Sequence, residues 1–351
     1  MAEALLANDF LRAADKYPVV DVRTPSEFRQ GHIPGAHNIP LFSDEERAVV
    51  GTLYKKQGRE QAVLKGLEFV GPRMSQMASE AKKLAVDNTL LVHCWRGGMR
   101  SASMAWLFET VGVRSFTLEG GYKAYRASFH EMIARENWNF VVLGGPTGSG
   151  KTDVLKALES MGEQVLDLEG LANHKGSAFG ALGQKPQPTT EQFQNDIYEV
   201  LRHFDPQRTI WVEGESYNIG KVFIPDPLFE LILKAPLIMF ELNRERRLDR
   251  LVKEYGCFDK ELLSQAVKKI QKRLGGLRTK EALKALEEND FRKVADIALQ
   301  YYDKSYAKSL SQRNKPVWSF SEDEDNPVAT AEKLINNLSY VYDRYERTSL
   351  S

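Results

Sequence analysis

The stretch NFVVLGGPTGSGKTDVLKALESMG, residues 139–162, constrains this chain more than any other. An apolar run leads into a glycine-rich loop, and the loop leads into a helical pattern closed by Gly162. From Gly145 to Thr152 it fits G-x-x-x-x-G-K-[ST] in full, between the strand and helix that such a loop requires. The backbone of Gly145, Thr147, Gly148, Ser149 and Gly150 is predicted to cradle phosphates at a helix N-terminus. Lys151 would neutralise them, and the Thr152 hydroxyl would reach Mg²⁺. Three further apolar runs, QVLDLEG (164–170), TIWVEGES (209–216) and APLIMFEL (235–242), read as strands with helical stretches between them. That alternation implies a parallel sheet with helical cover. The second acid for a metal is expected at Glu213, where the TIWVE run ends, with Asp167 as its competitor.

The same strand–loop–helix order occurs earlier. TLLVHC (89–94) is a buried strand, and SASMAWLFETVG (101–112) has helical periodicity with a terminal glycine. Between them HCWRGGMRS (93–101) fits H-C-x-x-G-x-x-R-S, the phosphate loop of cysteine-dependent phosphatases. Backbone N–H groups from Trp95 to Arg100, Met99 among them, can converge on one anion, with Gly97 and Gly98 leaving room and Ser101 at the start of the helix. Arg96 and Arg100 add permanent charge. Such surroundings lower a thiol pKa, so Cys94 is the expected nucleophile. A buried, inert cysteine is the plainer alternative, but strand, double glycine and two arginines all agree against it. YPVVDVR (17–23) reads as another buried strand, and Asp21 and Arg23 are expected to brace the loop by an ion pair. His32 and His37, in the Gly/Pro-rich GHIPGAHNIP (31–40), read as structural. Residues 43–88 have helical spacing, and SFTLEGG (115–121) reads as strand and turn.

At roughly 100–200 residues per domain, 351 residues suggest two domains. The boundary is expected near residue 135, giving domains 1–135 and 136–351. No apolar run approaches the ~20 residues that span a bilayer, and the first residues lack a basic n-region, so a cytosolic chain with no membrane partner is expected. Two distant cysteines, Cys94 and Cys257, make neither a disulfide framework nor a zinc site; no haem or flavin is expected. Formal net charge is zero, so contacts to a nucleic acid would be local. The region 243–310 is helical and charged, and its stretch AVKKIQKRLGGLRTK (266–280) carries six basic and no acidic residues. Lys268, Lys269, Lys272, Arg273 and Arg278 there are candidates for an RNA backbone, against the alternative of a solvated helix face. Arg244, Arg247 and Arg250 share one helical face and suit a diphosphate or RNA phosphates, unless they pair with Glu245, Asp249 and Glu254. NHKGSAFG (173–180) reads as a functional loop carrying His174 and Ser177; SEDEDNP (321–327) reads as an acidic loop, and ERTSLS (346–351) is expected to fray.

Two family resemblances rest on these motifs. DVRTPSEFRQGHIPGAHNIP (21–40) and LEGGYKAY (118–125), with the cysteine loop, resemble the rhodanese family over roughly residues 5–130. The fold this implies is a rhodanese-like parallel α/β domain, in which the loop cysteine carries a chalcogen. Here Cys94 to Arg100 is seven residues, one more than that family's usual loop, which widens the cradle toward a tetrahedral oxyanion. Selenophosphate or thiophosphate would satisfy both features. The fusion of this loop to GGPTGSGKT, together with HKGSAFG and YYDKSY (301–306), resembles the tRNA 2-selenouridine synthase family along the whole chain. The resemblance implies a P-loop NTPase-like parallel sheet domain with a helical C-terminal part. It also implies an enzyme that replaces sulfur of wobble 2-thiouridine by selenium from selenophosphate. An S-geranyl intermediate made from geranyl diphosphate is implied as well. Substrate tRNA is then the expected partner, and the selenophosphate-producing enzyme a further one. Cys94 is assigned to the selenium step. The Gly145–Thr152 loop is assigned to the prenyl diphosphate, or alternatively to a nucleotide. Gly66, in KGLEFVGPRM (65–74), is assigned to the prenyl site by likeness alone. Three rival readings stay open: a cysteine phosphatase or sulfurtransferase with an ATP-binding regulatory domain, an inactive rhodanese used as a binding module, and a small-molecule kinase fused to a sulfurtransferase.

Overall fold

A computed structural model describes residues 2–310 and 317–349. The chain divides into two compact units, Met1–Arg135 and Glu136–Ser351.

In the first unit the strands are β1 (Glu3–Leu5), β2 (Val19–Asp21), β3 (His37–Asn38), β4 (Thr89–His93) and β5 (Arg114–Leu118). They form one sheet in the order β1-β5-β4-β2-β3, and every pairing is parallel. Central β4, TLLVH, is buried at every position, as a strand covered on both faces must be. The register sets Asp21 opposite His93 at the carboxyl end of the sheet. Residues 43–88 fold into helices Asp44–Gln57, Arg59–Val70 and Met74–Leu84. The first is fixed by a capping box: Ser43 accepts from the Glu46 N–H, and the Glu46 carboxylate accepts from the Ser43 N–H. Val20, Leu90, Val92, Ala105 and Phe108 form the packed centre.

The second unit has β6 (Phe140–Gly144), β7 (Gln164–Leu166), β8 (Ile210–Glu213), the short antiparallel pair β9 (Asn218–Ile219) and β10 (Val222–Phe223), then β11 (Leu237–Leu242) and β12 (Trp318–Glu322). The main sheet runs β12-β11-β6-β8-β7, again parallel throughout. β12 corrects one expectation. Ser321 and Glu322 are not loop but the end of this edge strand, opposite Glu241 and Leu242. Only alternate residues of β12 are half-buried, so it shows no continuous apolar run. Residues 346–349 also correct one: they continue the helix Leu338–Ser349 rather than fray, and 350–351 lie outside the described residues. The region after β11 is helical: Arg244–Tyr255, Lys260–Lys269, Gln271–Leu274, Gly276–Glu287 and Phe291–Leu310. These helices enclose their own apolar cluster, including Phe179, Leu263, Leu286, Val294 and Ala298. Among the described residues no helix is long and apolar enough to cross a membrane.

Candidate active sites: a cysteine loop and a phosphate loop

Cys94 follows β4 directly, and the helix Met99–Thr110 takes up the chain after the loop. The segment after β5 forms the loop's back wall. Tyr122 N–H donates to the Cys94 carbonyl at 2.9 Å and Lys123 N–H to the Trp95 carbonyl at 3.1 Å. With those carbonyls held by the helix Gly121–Arg135, the loop N–H groups are left to face the thiol. Gly97 has φ +64°, and a Cβ there would lie 2.6 Å from the Leu118 carbonyl oxygen and 2.8 Å from the Gly120 nitrogen. Gly121, φ +62°, abuts the loop from the other side, where a Cβ would meet the Arg96 nitrogen at 2.7 Å. Two backbones meet here, and only glycine fits on both sides.

Cys94 is 3% exposed, and its Sγ lies 3.3 Å from the Ser101 hydroxyl. Burial pushes the thiol up, but the Ser101 hydroxyl and the N–H groups of Arg96, Gly98 and Ser101 outweigh it and hold the thiol below its ordinary value. The loop is thus a built anion cradle with a sulfur at its base. Arg100 donates to Glu27 at 3.0 Å, while Trp95, Arg96 and Met99 are exposed. Beside the cradle Arg23 and Asp21 form a fully buried pair, Nη2 to Oδ2 at 2.6 Å. Arg23 also donates to the Gly31 carbonyl at 2.6 Å, and its guanidinium lies 3.8 Å from the Tyr122 ring. It therefore ties β2 to the wall that carries the loop. Burial acts to raise the Asp21 carboxyl; His93, with Nε2 at 3.7 Å, and Arg23 hold it below its ordinary value. His32 stacks on Phe28 at 3.9 Å, and His37 lies in β3. Gly66 lies in the helix Arg59–Val70, where a Cβ would be 3.1 Å from the Phe42 ring. That contact belongs to the packing of the first unit.

In the second unit the phosphate loop joins β6 to the helix Lys151–Ser160. Lys151 Nζ reaches back to the Gly145 carbonyl at 2.9 Å and stands 3.3 Å from Glu213 Oε1. The Ser149 hydroxyl donates to the Pro146 carbonyl at 2.8 Å, and Gly145 N–H donates to the Tyr306 hydroxyl at 2.7 Å. Thr152 Oγ1 donates to Glu169 Oε2 at 3.4 Å. Glu169, Glu213 and Glu215 each offer an oxygen within 4.8 Å of the others. Glu213 Oε2 is buried with no hydrogen-bond partner among the described residues. Burial, then the charges of Glu213 and Glu215, push the Glu169 carboxyl up to about 10 against the pull of Lys151. Burial lowers Lys151, but Glu213 leads the groups that raise it. An all-oxygen donor set with an orphaned carboxylate oxygen fits Mg²⁺.

Glu169 and Glu215 were not expected here, and Asp167 is corrected. Its carboxylate accepts from Gly170 N–H at 2.8 Å and caps the helix Leu168–Ala172 instead of joining the cluster. The arginines are also placed differently. Arg247 Nε donates to the Thr147 carbonyl at 2.9 Å, and its fork binds Asp303. Arg250 binds Asp153 and Asp325, and Arg244 binds Asp296. The carboxylates expected beside them serve others: Glu245 and Asp249 bind Arg292, and Glu254 binds Lys175. The loop 173–180 lies against the carboxylates, since a Cβ on Gly176 would be 2.8 Å from both Glu169 Oε1 and Glu215 Oε2. His174 Nδ1 is buried without a hydrogen-bond partner among the described residues, and burial holds its imidazole below its ordinary value. The Ser177 hydroxyl accepts from Phe179 N–H at 3.2 Å. Lys268, Lys269, Lys272 and Arg273 are exposed, and Arg278 is half-buried.

Comparison with known proteins follows this division. The family described as "tRNA 2-selenouridine synthase AAA domain" matches residues 138–336, and "Rhodanese-like domain" matches residues 6–128. A tRNA 2-selenouridine synthase of Sulfurovum sp. (strain NBC37-1) is 36% identical over 326 residues, covering 86% of this chain and 88% of its own. One of Nitrosomonas europaea is 33% identical over 348 residues, covering 84% of this chain and 90% of its own. The crystal structure of a rhodanese-related protein from Thermoplasma volcanium is 23% identical with a TM-score of 0.23, covering 36% of this chain and 92% of that one. With matches on both units and relatives aligned along most of its length, the chain belongs to the tRNA 2-selenouridine synthase family.

Proposed function

We propose that the protein replaces the 2-thio sulfur of the wobble uridine of tRNA by selenium, by way of an S-geranyl intermediate. The observation that carries this reading is the presence of two different anion sites in one chain. One holds a buried thiol below its ordinary pKa inside a ring of N–H groups; the other holds a lysine among three carboxylates. A single phosphoryl transfer would need one such site. Selenation through a prenylated base needs both.

In the first step the thiocarbonyl sulfur attacks C1 of geranyl diphosphate. A carbon–sulfur bond forms, the carbon–oxygen bond breaks, diphosphate leaves with the electron pair, and the N3 proton of the base is released to water. The Gly145–Gly150 backbone and Lys151 bind the departing charge. Thr152, Glu169, Glu213 and Glu215 would hold Mg²⁺, which supplies further neutralisation of the diphosphate. Alkylation matters because a thiocarbonyl sulfur leaves poorly and a neutral thiol leaves well. In the second step a selenium nucleophile derived from selenophosphate adds at C2 of the base, and the carbon–sulfur bond at C2 breaks. Geranylthiol departs after taking a proton. The cradle from Trp95 to Ser101 binds the phosphoryl oxygens while Cys94 attacks phosphorus. A sulfur–phosphorus bond forms, the phosphorus–selenium bond breaks, and selenium leaves with the electron pair as the nucleophile of this step. Water then hydrolyses the phosphocysteine to phosphate and free thiol. The exposed basic residues Lys268, Lys269, Lys272 and Arg273 bind the tRNA backbone.

The test is nucleoside mass spectrometry of 2-thiouridine-containing tRNA incubated with protein, geranyl diphosphate, Mg²⁺ and selenophosphate. Wild type should yield 2-selenouridine, Cys94→Ala should stop at the geranylated base, and Lys151→Ala should make neither. Folded wild-type protein that leaves the tRNA unchanged, but hydrolyses a generic phosphomonoester in a Cys94-dependent way, would establish the phosphatase reading instead.

A further inference from the structure

We infer that the aromatic hairpin β9–β10 stacks unpaired bases of the RNA substrate, next to the base being modified. This rests on the tRNA reading given above.

The hairpin leaves the carboxylate site directly. Glu213 ends β8, Glu215 joins the carboxylate cluster, and Tyr217 stands on the surface two residues later. Two residues of chain span at most about 7 Å. The strands are joined by the turn Gly220–Lys221, with Ile219 opposite Val222 and Asn218 opposite Phe223. Gln187 fixes that turn. Its Nε2 donates to the carbonyls of Ala172 at 3.1 Å and Ile219 at 2.9 Å, and its Oε1 accepts from Lys221 N–H at 2.9 Å. Ile219, Val222 and Ile224 are buried, so the hairpin is anchored in the second unit.

Its outward rings are not buried. Tyr217 and Phe223 are 40% and 43% exposed, with ring centroids 5.6 Å apart. Phe229, from the helix Asp226–Lys234, meets Tyr217 edge-on at 5.4 Å, and the Tyr217 hydroxyl donates to Asp226 at 2.6 Å. The rings are therefore held in place before anything binds, which lowers the ordering cost of binding. Exposed rings of fixed orientation are what proteins offer to the splayed bases of single-stranded RNA. Ser216 and Asn218, exposed beside them, carry hydroxyl and amide groups for base edges. The hairpin has a single cation, Lys221, and Asp226 stands at the Tyr217 hydroxyl. Affinity here therefore comes from base faces rather than phosphates. An enzyme that does chemistry on a base takes it out of its stack. The neighbouring bases then lose a stacking partner, and the aromatic pair supplies one.

The experiment measures binding of the full-length protein to a labelled hairpin RNA with 2-thiouridine in its loop, and to a duplex of the stem sequence, by fluorescence anisotropy. Tyr217→Ala and Phe223→Ala should each weaken binding of the hairpin RNA roughly tenfold, the worth of about one base stack. Duplex binding should not change, and the slope of log affinity against log salt should stay that of wild type. Phe223→Leu, which keeps apolar bulk without the ring, should lose affinity as Phe223→Ala does, whereas Phe223→Tyr should keep it. A 2-aminopurine placed beside the 2-thiouridine should be quenched on binding to wild type and not on binding to Phe223→Leu. If wild type binds the hairpin RNA and the folded Ala and Leu variants bind it equally well, the inference falls while the tRNA reading stands. Variants that alter self-association in sedimentation but keep RNA affinity would assign the rings to a protein contact and overturn it likewise. Wild-type protein that binds neither RNA would overturn both.

Discussion

Lys151 Nζ lies 3.3 Å from Glu213 Oε1, and both side chains are largely withdrawn from water. A buried charge left alone costs more than a buried pair. Lys151→Met and Glu213→Gln should each destabilise the protein by a few kcal/mol, roughly 3–5 at the upper end. The double variant should cost clearly less than the sum. Urea denaturation of the four proteins measures the coupling, expected at about 0.5–3 kcal/mol. Additive losses would mean that the two groups do not depend on each other.

The thiolate of Cys94 is stabilised by donors, so its reactivity should follow pH in a definite sense. With the folded thiol below its ordinary value of 9.0, the thiolate persists to lower pH than in a free peptide. Iodoacetamide should therefore modify Cys94 near neutrality faster than it modifies Cys257. Ser101→Ala removes one hydrogen bond to a charged group, worth about 1.5–3 kcal/mol, and should slow the reaction roughly tenfold at neutral pH. An unchanged rate profile would show that the hydroxyl contributes nothing to the cradle.

The Asp21–Arg23 pair ties stability to acid. Asp21 titrates below its ordinary value of 3.8 when folded. Its contribution is therefore present above the unfolded value and is lost as the pH falls through the folded one. Denaturation midpoints from pH 5 down to about 2 should fall more steeply for wild type than for Asp21→Asn. At neutral pH Arg23→Met should cost about 3–5 kcal/mol, because it strands a buried carboxylate. Arg23→Lys should not rescue it, since an ammonium neither forks around Asp21 nor lies flat on Tyr122.

The basic stretch predicts a salt signature. Lys268→Gln and Lys272→Gln should weaken tRNA binding for all sequences alike, and each should reduce the slope of log affinity against log salt by about 1. Filter binding between low and physiological salt measures this. An unaltered slope would assign the stretch to solvent.

Both loops were legible in the sequence because each is a contiguous strand, loop and helix. Cys94 and Lys151 need no distant partner to be recognised. The carboxylate cluster was only half legible. Glu213 ends a strand, but Glu169 and Glu215 stand just past the ends of β7 and β8. They meet because the parallel register sets Leu166 opposite Val212. The only local sign was that LEG and EGES both follow apolar runs. The arginine partners Asp153, Asp296, Asp303 and Asp325 come from other elements, beyond the reach of helical spacing. β1 and β12 stayed hidden as edge strands: one has three residues, and the other is covered on alternate positions.

The wall behind the cysteine loop has a consequence for synthesis. Cys94 leaves the ribosome well before Tyr122 and Lys123, whose N–H groups hold the loop carbonyls. During that interval the Cys94 and Trp95 carbonyls lack the partners that hold the loop from behind. The back wall arrives only with the last helix of the first unit, so a chain truncated before Gly121 carries the cysteine loop without the backbone that braces it.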